Sequence, residues 1–221
     1  MSITICFDFG NTRLKAAIFS NAALVELRVL ETGNLEEIEN LLTEFAVEKT
    51  ILSSVIHHDK AIETLLAKKT KFHLLGPATK INFTTPVGKP ETIGADRLAL
   101  IAAAVDQFPH EHNLVISLGT CITYNFINNT HAFLGGSISP GMQMRFKAMH
   151  EQTALLPLIS PSNEFPLVGY DTKTNILSGV ILGMAAEIDG IITAYEQKYG
   201  KFNVLLTGGD ISYFVPHLKK R

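Results

Sequence analysis

The chain has 221 residues, enough for one large domain or two small ones around a real hydrophobic core. Its net charge of −2 gives no overall pull toward nucleic acid or anionic membrane, and its apolar content of 46% matches an ordinary globular protein. The two cysteines, Cys6 and Cys121, lie in apolar runs and read as buried free thiols, too few for a disulfide framework or a thiolate metal site. No apolar stretch approaches the roughly 20 residues that span a bilayer, and no basic segment followed by an apolar core opens the chain. A cytoplasmic location is expected, with neither membrane nor nucleic acid as a partner.

In chain order, strand patterns fall at about 2–9, 13–19 and 23–30. A helical pattern over 34–46 follows, with Leu35, Ile38, Leu41, Leu42 and Phe45 at helix spacing. A strand over 50–56 comes next, then a helix from the N-cap Asp59 to Lys69. A helix over 95–108 bridges to a second unit, with strands at 114–118, 122–127 and 131–135. Helices at about 140–156 and 172–198 and a strand at 202–206 complete it. Both units open as strand, glycine-threonine turn, strand, which predicts a duplicated α/β architecture with domains at 1–112 and 113–221. The Pro-rich stretch 157–166 reads as loop, and Lys219-Lys220-Arg221 as a solvated tail.

The chemistry gathers in a few segments. In the first hairpin a strand ends in Asp8, the turn carries Gly10, Asn11 and Thr12, and Lys15 follows. Such a turn aims N–H groups, a hydroxyl and an ammonium at a phosphate, with Asp8 able to hold Mg²⁺ directly or through water. A plain hairpin with a capped turn has the same sequence. Gly94-Ala95-Asp96-Arg97 places a carboxylate in the first turn of a helix beside a guanidinium. An ionised carboxylate can take a proton from an attacking hydroxyl, and arginine grips carboxylates bidentately; a helix cap with a surface ion pair reads the same way. Gly119, Thr120 and Thr123 repeat the phosphate logic of the first turn, although threonine is also simply a good strand residue. Residues 135–141 read as a glycine-dense turn into a helix, and Thr207-Gly208-Gly209-Asp210 as the opening of another. His57-His58 has no ligand-spaced partner and reads as loop.

Taken in order, these segments resemble the type III pantothenate kinases, of the acetate and sugar kinase, Hsp70 and actin superfamily. The resemblance runs through Asp8-x-Gly10-Asn11-Thr12 with Lys15, Gly94 before Asp96-Arg97, Gly119-Thr120 with Thr123, Gly135-Gly136 through Pro140-Gly141, Thr153-Ala154-x-Leu156-Pro157, Gly169-x-Asp171-Thr172, and Thr207 to Asp210. It implies two ribonuclease-H-like (actin-like ATPase) domains, mixed sheets flanked by helices, facing each other across an ATP cleft. It implies ATP and Mg²⁺ as cofactors, pantothenate as substrate, and a homodimer. Asp96 matches the general base. Gly94 and Arg97 match pantothenate-binding positions, and Thr172 the threonine given across the dimer. Asp8, Gly10, Asn11, Thr12 and Lys15 match the first phosphate motif, and Gly119, Thr120 and Thr123 the second. The small residues Gly179, Gly183, Ala186 and Gly190 at helical spacing suit close approach of two helices, in a dimer or within one protomer.

Two departures stand out. The family's acid two residues before the second Gly-Thr, tied to its K⁺ or NH₄⁺ requirement, is Ser117 here. The chain also stops soon after Asp210, where relatives continue. The expected function is ATP-dependent phosphorylation of pantothenate, the first step of coenzyme A synthesis. The alternatives are a kinase for another small hydroxy acid and a non-catalytic binding or regulatory protein.

Overall fold

The computed structural model describes residues 2–86 and 88–220. The chain divides into two compact units, Met1–Asn82 with Gly88–Ala103, and Phe83–Val87 with Ala104–Arg221.

The first unit is a five-stranded sheet in the order β3-β2-β1-β4-β5. Strands β1 (Ile3–Phe9), β2 (Leu14–Ser20) and β3 (Ala23–Leu30) form an antiparallel meander, while β4 (Lys49–Ser54) and β5 (Lys71–Leu74) add parallel to β1 and to each other. Strand alternation sends Ile5, Phe7, Phe9, Ile18 and Leu52 to one face, where Ile38, Leu41 and Leu42 of α1 (Leu35–Glu44) and Ile62 and Leu66 of α2 (Lys60–Lys69) cover them. The same alternation sends Cys6, Asp8 and Lys15 to the opposite face. Asn34 caps α1 by accepting from the Glu37 N–H at 2.9 Å, and Asp59 caps α2 by accepting from the Ala61 N–H at 2.8 Å. Helix α3 (Ala95–Gln107) starts in this unit and lies in it through Ala103.

The second unit repeats the plan. Its sheet runs β8-β7-β6-β9, with β6 (Asn113–Leu118), β7 (Cys121–Ile127) and β8 (Phe133–Pro140) as a meander and β9 (Asn203–Thr207) parallel to β6. Helices α4 (Met142–Glu151), α5 (Thr172–Tyr199) and the short α6 (Ile211–Phe214) complete it. The mixed α/β character and the repeated strand order follow the sequence pattern; β5 has no counterpart in that pattern.

Five expectations need correction. Cys6 and Cys121 are free thiols but only half-buried. The glycine-dense run 135–141 is not a turn: β8 extends through it to Pro140, and only Gly141 precedes α4. A β-carbon at Gly136 would sit 1.7 Å from the Tyr124 carbonyl oxygen, so this glycine serves the close approach of β8 to β7. Helix α4 ends at Glu151 rather than near 156, where Thr153 Oγ1 donates to the Met149 carbonyl at 2.7 Å and Pro157 follows. Lys219 and Lys220 are not a free tail, since both backbone N–H groups reach the Asp189 carboxylate of α5; Arg221 lies outside the described residues. Finally, α5 is long and apolar enough, by length and composition, to cross a membrane. Its apolar face, including Leu177, Ile181, Met184 and Ile188, forms the core of the second unit.

Candidate active site

Each unit carries part of the expected machinery. In the first, the β1–β2 register places Asp8 directly opposite Lys15, with Nζ to Oδ2 at 3.9 Å. The hairpin closes through the Gly10 N–H to the Arg13 carbonyl at 3.2 Å, leaving Asn11 and Thr12 exposed at the tip. Burial raises the pKa of Asp8 above the ordinary carboxylate value; the Lys15 charge offsets this in part, and the Asp96 carboxylate adds to it.

Asp96 is positioned by the head of α3. A single 3₁₀ turn, Pro90–Thr92, leads to buried Ile93 and then Gly94. A β-carbon at Gly94 would lie 2.5 Å from Asp96 Oδ1 and 3.6 Å from Val55 Cγ1. The glycine thus makes room for the carboxylate, and Val55, just beyond β4, flanks it. Arg97 is half-buried beside it. Burial draws its guanidinium below the ordinary arginine value, and the neighbouring Asp96 charge opposes that.

One side chain here was not among the residues singled out from sequence. Ser53 pairs with Asp8 in the parallel β1–β4 ladder and is only 7% exposed. Its Oγ is buried and has no hydrogen-bond partner among the described residues. The Ser-Ser-Val run gives no sign of this without the strand register. Ser54, one residue on and facing the other way, is bonded to His58 Nδ1 at 3.0 Å. His58 also meets Glu63 Oε1 at 2.9 Å, so it fastens α2 to β4. A cleft of about 500 Å³ opens on the helix side of this sheet, lined by Phe9, Leu14, Ile56 and His58 among others; none of the expected site residues lines it.

In the second unit, Ser117 sits near the end of β6, paired with Thr123 of β7 and Thr207 of β9. The turn Leu118–Cys121 is held from two sides. The Gly141 N–H donates to the Thr120 carbonyl at 3.0 Å, and the Asp210 N–H donates to the Leu118 carbonyl at 3.1 Å. β-Carbons at Gly141 and Gly208 would lie 2.1 Å from the carbonyl oxygens of Gly119 and Leu118, so both glycines permit this bracing. Gly119 itself faces open space, with no atom near a β-carbon position. Thr120 is exposed, whereas Thr123 is buried inside β7, its hydroxyl accepting from Asn125 Nδ2 at 3.1 Å with one proton left to donate.

Thr172 stands exposed at the start of α5, behind the N-cap Asp171. Asp171 Oδ1 accepts from the Thr174 N–H at 2.7 Å, and the Thr174 hydroxyl returns toward the Asp171 backbone N–H. Among the described residues no three His, Cys, Asp or Glu side chains cluster to hold a metal.

A family profile for type III pantothenate kinases matches residues 4–194. A type III pantothenate kinase of Christiangramia forsetii is 41% identical over 210 residues, covering 94% of this chain and 86% of that one. One from Bacteroides fragilis is 39% identical over 221 residues, covering 98% and 90%. Among solved structures, one from Campylobacter jejuni, named for the Baf family of transcriptional activators, superposes with a TM-score of 0.60 at 22% identity, covering 97% of this chain and 88% of that one. One from Cytophaga hutchinsonii, described as a sugar kinase, gives 0.51 at 14% identity, covering 99% and 88%. These two show likeness of fold. The sequence matches go further: the chain belongs to the type III pantothenate kinase family.

Proposed function

We propose that this protein transfers the γ-phosphoryl group of ATP to the primary hydroxyl of pantothenate, giving ADP and 4′-phosphopantothenate, the first step of coenzyme A synthesis. Membership of the family supports the reaction, and one observation supports the assignment of residues: the head of α3 that carries Asp96 lies against Val55, just beyond the strand that pairs Ser53 with Asp8. Phosphoryl transfer asks mainly for positioning and charge neutralisation, with little covalent work for the protein. Asp96 is the general base that takes the hydroxyl proton. Arg97 grips the substrate carboxylate with its planar fork, and Gly94 keeps the space around Asp96 clear.

Asp8, Lys15, Thr12, Asn11 and Gly10 form the first phosphate-binding turn. When bound, Mg²⁺ neutralises phosphate charge, and the oxygen donors around Asp8 suit it. In the second unit the braced turn with Gly119 and Thr120, backed by Thr123, supplies further donors to phosphate. Ser117 offers a hydroxyl where the family has a carboxylate, so a K⁺ or NH₄⁺ ion finds no full negative charge there.

A homodimer with Thr172 contributed to the neighbouring protomer's pantothenate site is supported by the outer face of α5. Gly179, Gly183, Ala186 and Gly190 are exposed, and apart from the helix's own nearby backbone no atom of the described residues lies within 4 Å of a β-carbon at any of the three glycines. The loop before α5 also exposes Leu155 by 91%, Leu167 by 78% and Val168 by 81%, an apolar surface of the kind that seeks a partner. Two domains, 1–112 and 113–221, and a cytoplasmic location with no nucleic-acid or membrane partner complete the proposal.

The test is a coupled assay of ADP release over a panel of hydroxylated acids. Turnover with pantothenate well above that with other acids supports the assignment. A stronger preference for another acid makes this a kinase of different specificity, and no turnover with any acid favours a binding role.

A further inference from the structure

Ser53 presents a buried hydroxyl that nothing among the described residues satisfies. Leaving such a group unpaired costs stability, so an unpaired one at a functional face asks for a reason. Its surroundings supply one. In the parallel β1–β4 ladder Ser53 pairs with Asp8, while Phe7 and Leu52, one residue earlier on each strand, point into the core. Ser53 and Asp8 thus stand side by side on the other face, about 5 Å apart as neighbouring strands are. Val55 follows two residues on and lies against the Gly94 position, 3.6 Å from a β-carbon there, so the head of α3 lies along the same side of β4. Ser53 is buried although it does not face the helix-backed core.

We propose that Ser53 is a positioning residue for the reaction: its hydroxyl donates a hydrogen bond to the Asp8 carboxylate in the Mg²⁺·ATP-loaded enzyme, fixing the orientation in which Asp8 serves the cation. In the free protein the carboxylate leans toward Lys15 and the hydroxyl is left over. With Mg²⁺ bound, Asp8 would hold the cation and the Ser53 hydroxyl would hydrogen-bond the carboxylate and fix its orientation. Partners that orient a metal-holding carboxylate in this way typically change metal affinity about 10- to 100-fold when removed.

The inference rests on the reading of Asp8 given above, and the experiment separates the two. Mg²⁺·ATP affinity is measured by titration calorimetry on the full chain for wild type, Ser53→Ala, Ser53→Cys and Asp8→Asn, with an EDTA control for Mg²⁺-free ATP and a thermal melt of each free protein. Ser53→Ala and Ser53→Cys are expected to weaken Mg²⁺·ATP about tenfold, with Mg²⁺-free ATP affinity and the KM for pantothenate unchanged. The free Ser53→Ala protein is expected to melt no lower than wild type, because it loses an unsatisfied group. If Ser53→Cys, which fills the same space with a weak donor, binds normally while Ser53→Ala does not, the role is packing and the proposal is overturned. It is equally overturned if Ser53→Ala binds Mg²⁺·ATP normally while Asp8→Asn is impaired. If Asp8→Asn also binds normally, the assignment of Asp8 falls, and this inference with it.

Discussion

The Asp96 carboxylate folds back over Gly94, its Oδ1 only 2.5 Å from the place where any side chain at that position would begin. A methyl group there cannot coexist with the observed carboxylate. Gly94→Ala is therefore expected to swing Asp96 aside while the rest of the α3 head, with its buried Ile93 and Leu98, stays in place. Misplacing a reacting group by about 1 Å can cost on the order of 100-fold in rate. Steady-state kinetics check it: kcat falls strongly while the melting temperature moves little.

Glu187 ties α5 to the sheet of the second unit. Its Oε1 accepts from Ser139 Oγ at 2.5 Å and Tyr124 Oη at 3.1 Å, while Oε2 pairs with Arg145. Burial works to raise its pKa, but the Ser139 and Arg145 hydrogen bonds, with the Arg145 charge and Tyr124, outweigh it and hold it below the ordinary value of 4.5. A depressed pKa means stability present above the unfolded value and lost as pH falls through the folded one. Glu187→Gln is expected to destabilise by about 1–3 kcal/mol at neutral pH. In denaturant melts across pH, the gap to wild type narrows below 4.5.

Phe126 centres an aromatic cluster, with ring centroids 4.3 Å from Tyr199, 5.2 Å from Tyr195 and 5.6 Å from Phe202. These three come from the end of α5 and the approach to β9, and a fourth ring, His112 just before β6, stacks at 5.8 Å, so Phe126 fastens β7 to the chain that returns to the sheet edge. Phe126→Ala is expected to cost about 3–5 kcal/mol, read as a lower denaturation midpoint.

Ser117 gives a prediction about ions. Exchanging KCl for the chloride of a bulky organic cation is expected to change the wild-type rate less than twofold. Ser117→Asp, which adds a carboxylate beside Thr123 and Thr207, is expected to make the rate depend on K⁺. Equal dependence in both proteins counts against the role given to this position.

Much of the architecture was legible in the sequence because local patterns and tertiary structure agree. Alternating apolar residues in Ile3–Phe9 and helix-spaced ones in Leu35–Glu44 mark elements whose buried faces are the ones observed. Polar turns beside strand ends drew attention to Asp8 and to Gly119-Thr120. What stayed hidden depended on neighbours distant in sequence. Gly135-Gly136 reads as a turn until the Tyr124 carbonyl is seen against it, and Lys71–Leu74 is too short and too polar to announce a strand before β4 is there to pair with. Ser53 looks like strand filler until the register sets it beside Asp8.

The account depends most on Asp96 as the base that deprotonates the acceptor hydroxyl. The direct measurement is ADP release by wild type and Asp96→Asn, each with and without pantothenate, with both proteins shown to be equally folded. Wild type is expected to release ADP only when pantothenate is present, and the variant to lose about 10²- to 10⁴-fold in kcat. Equal turnover by the variant, or ADP release indifferent to pantothenate, would contradict it.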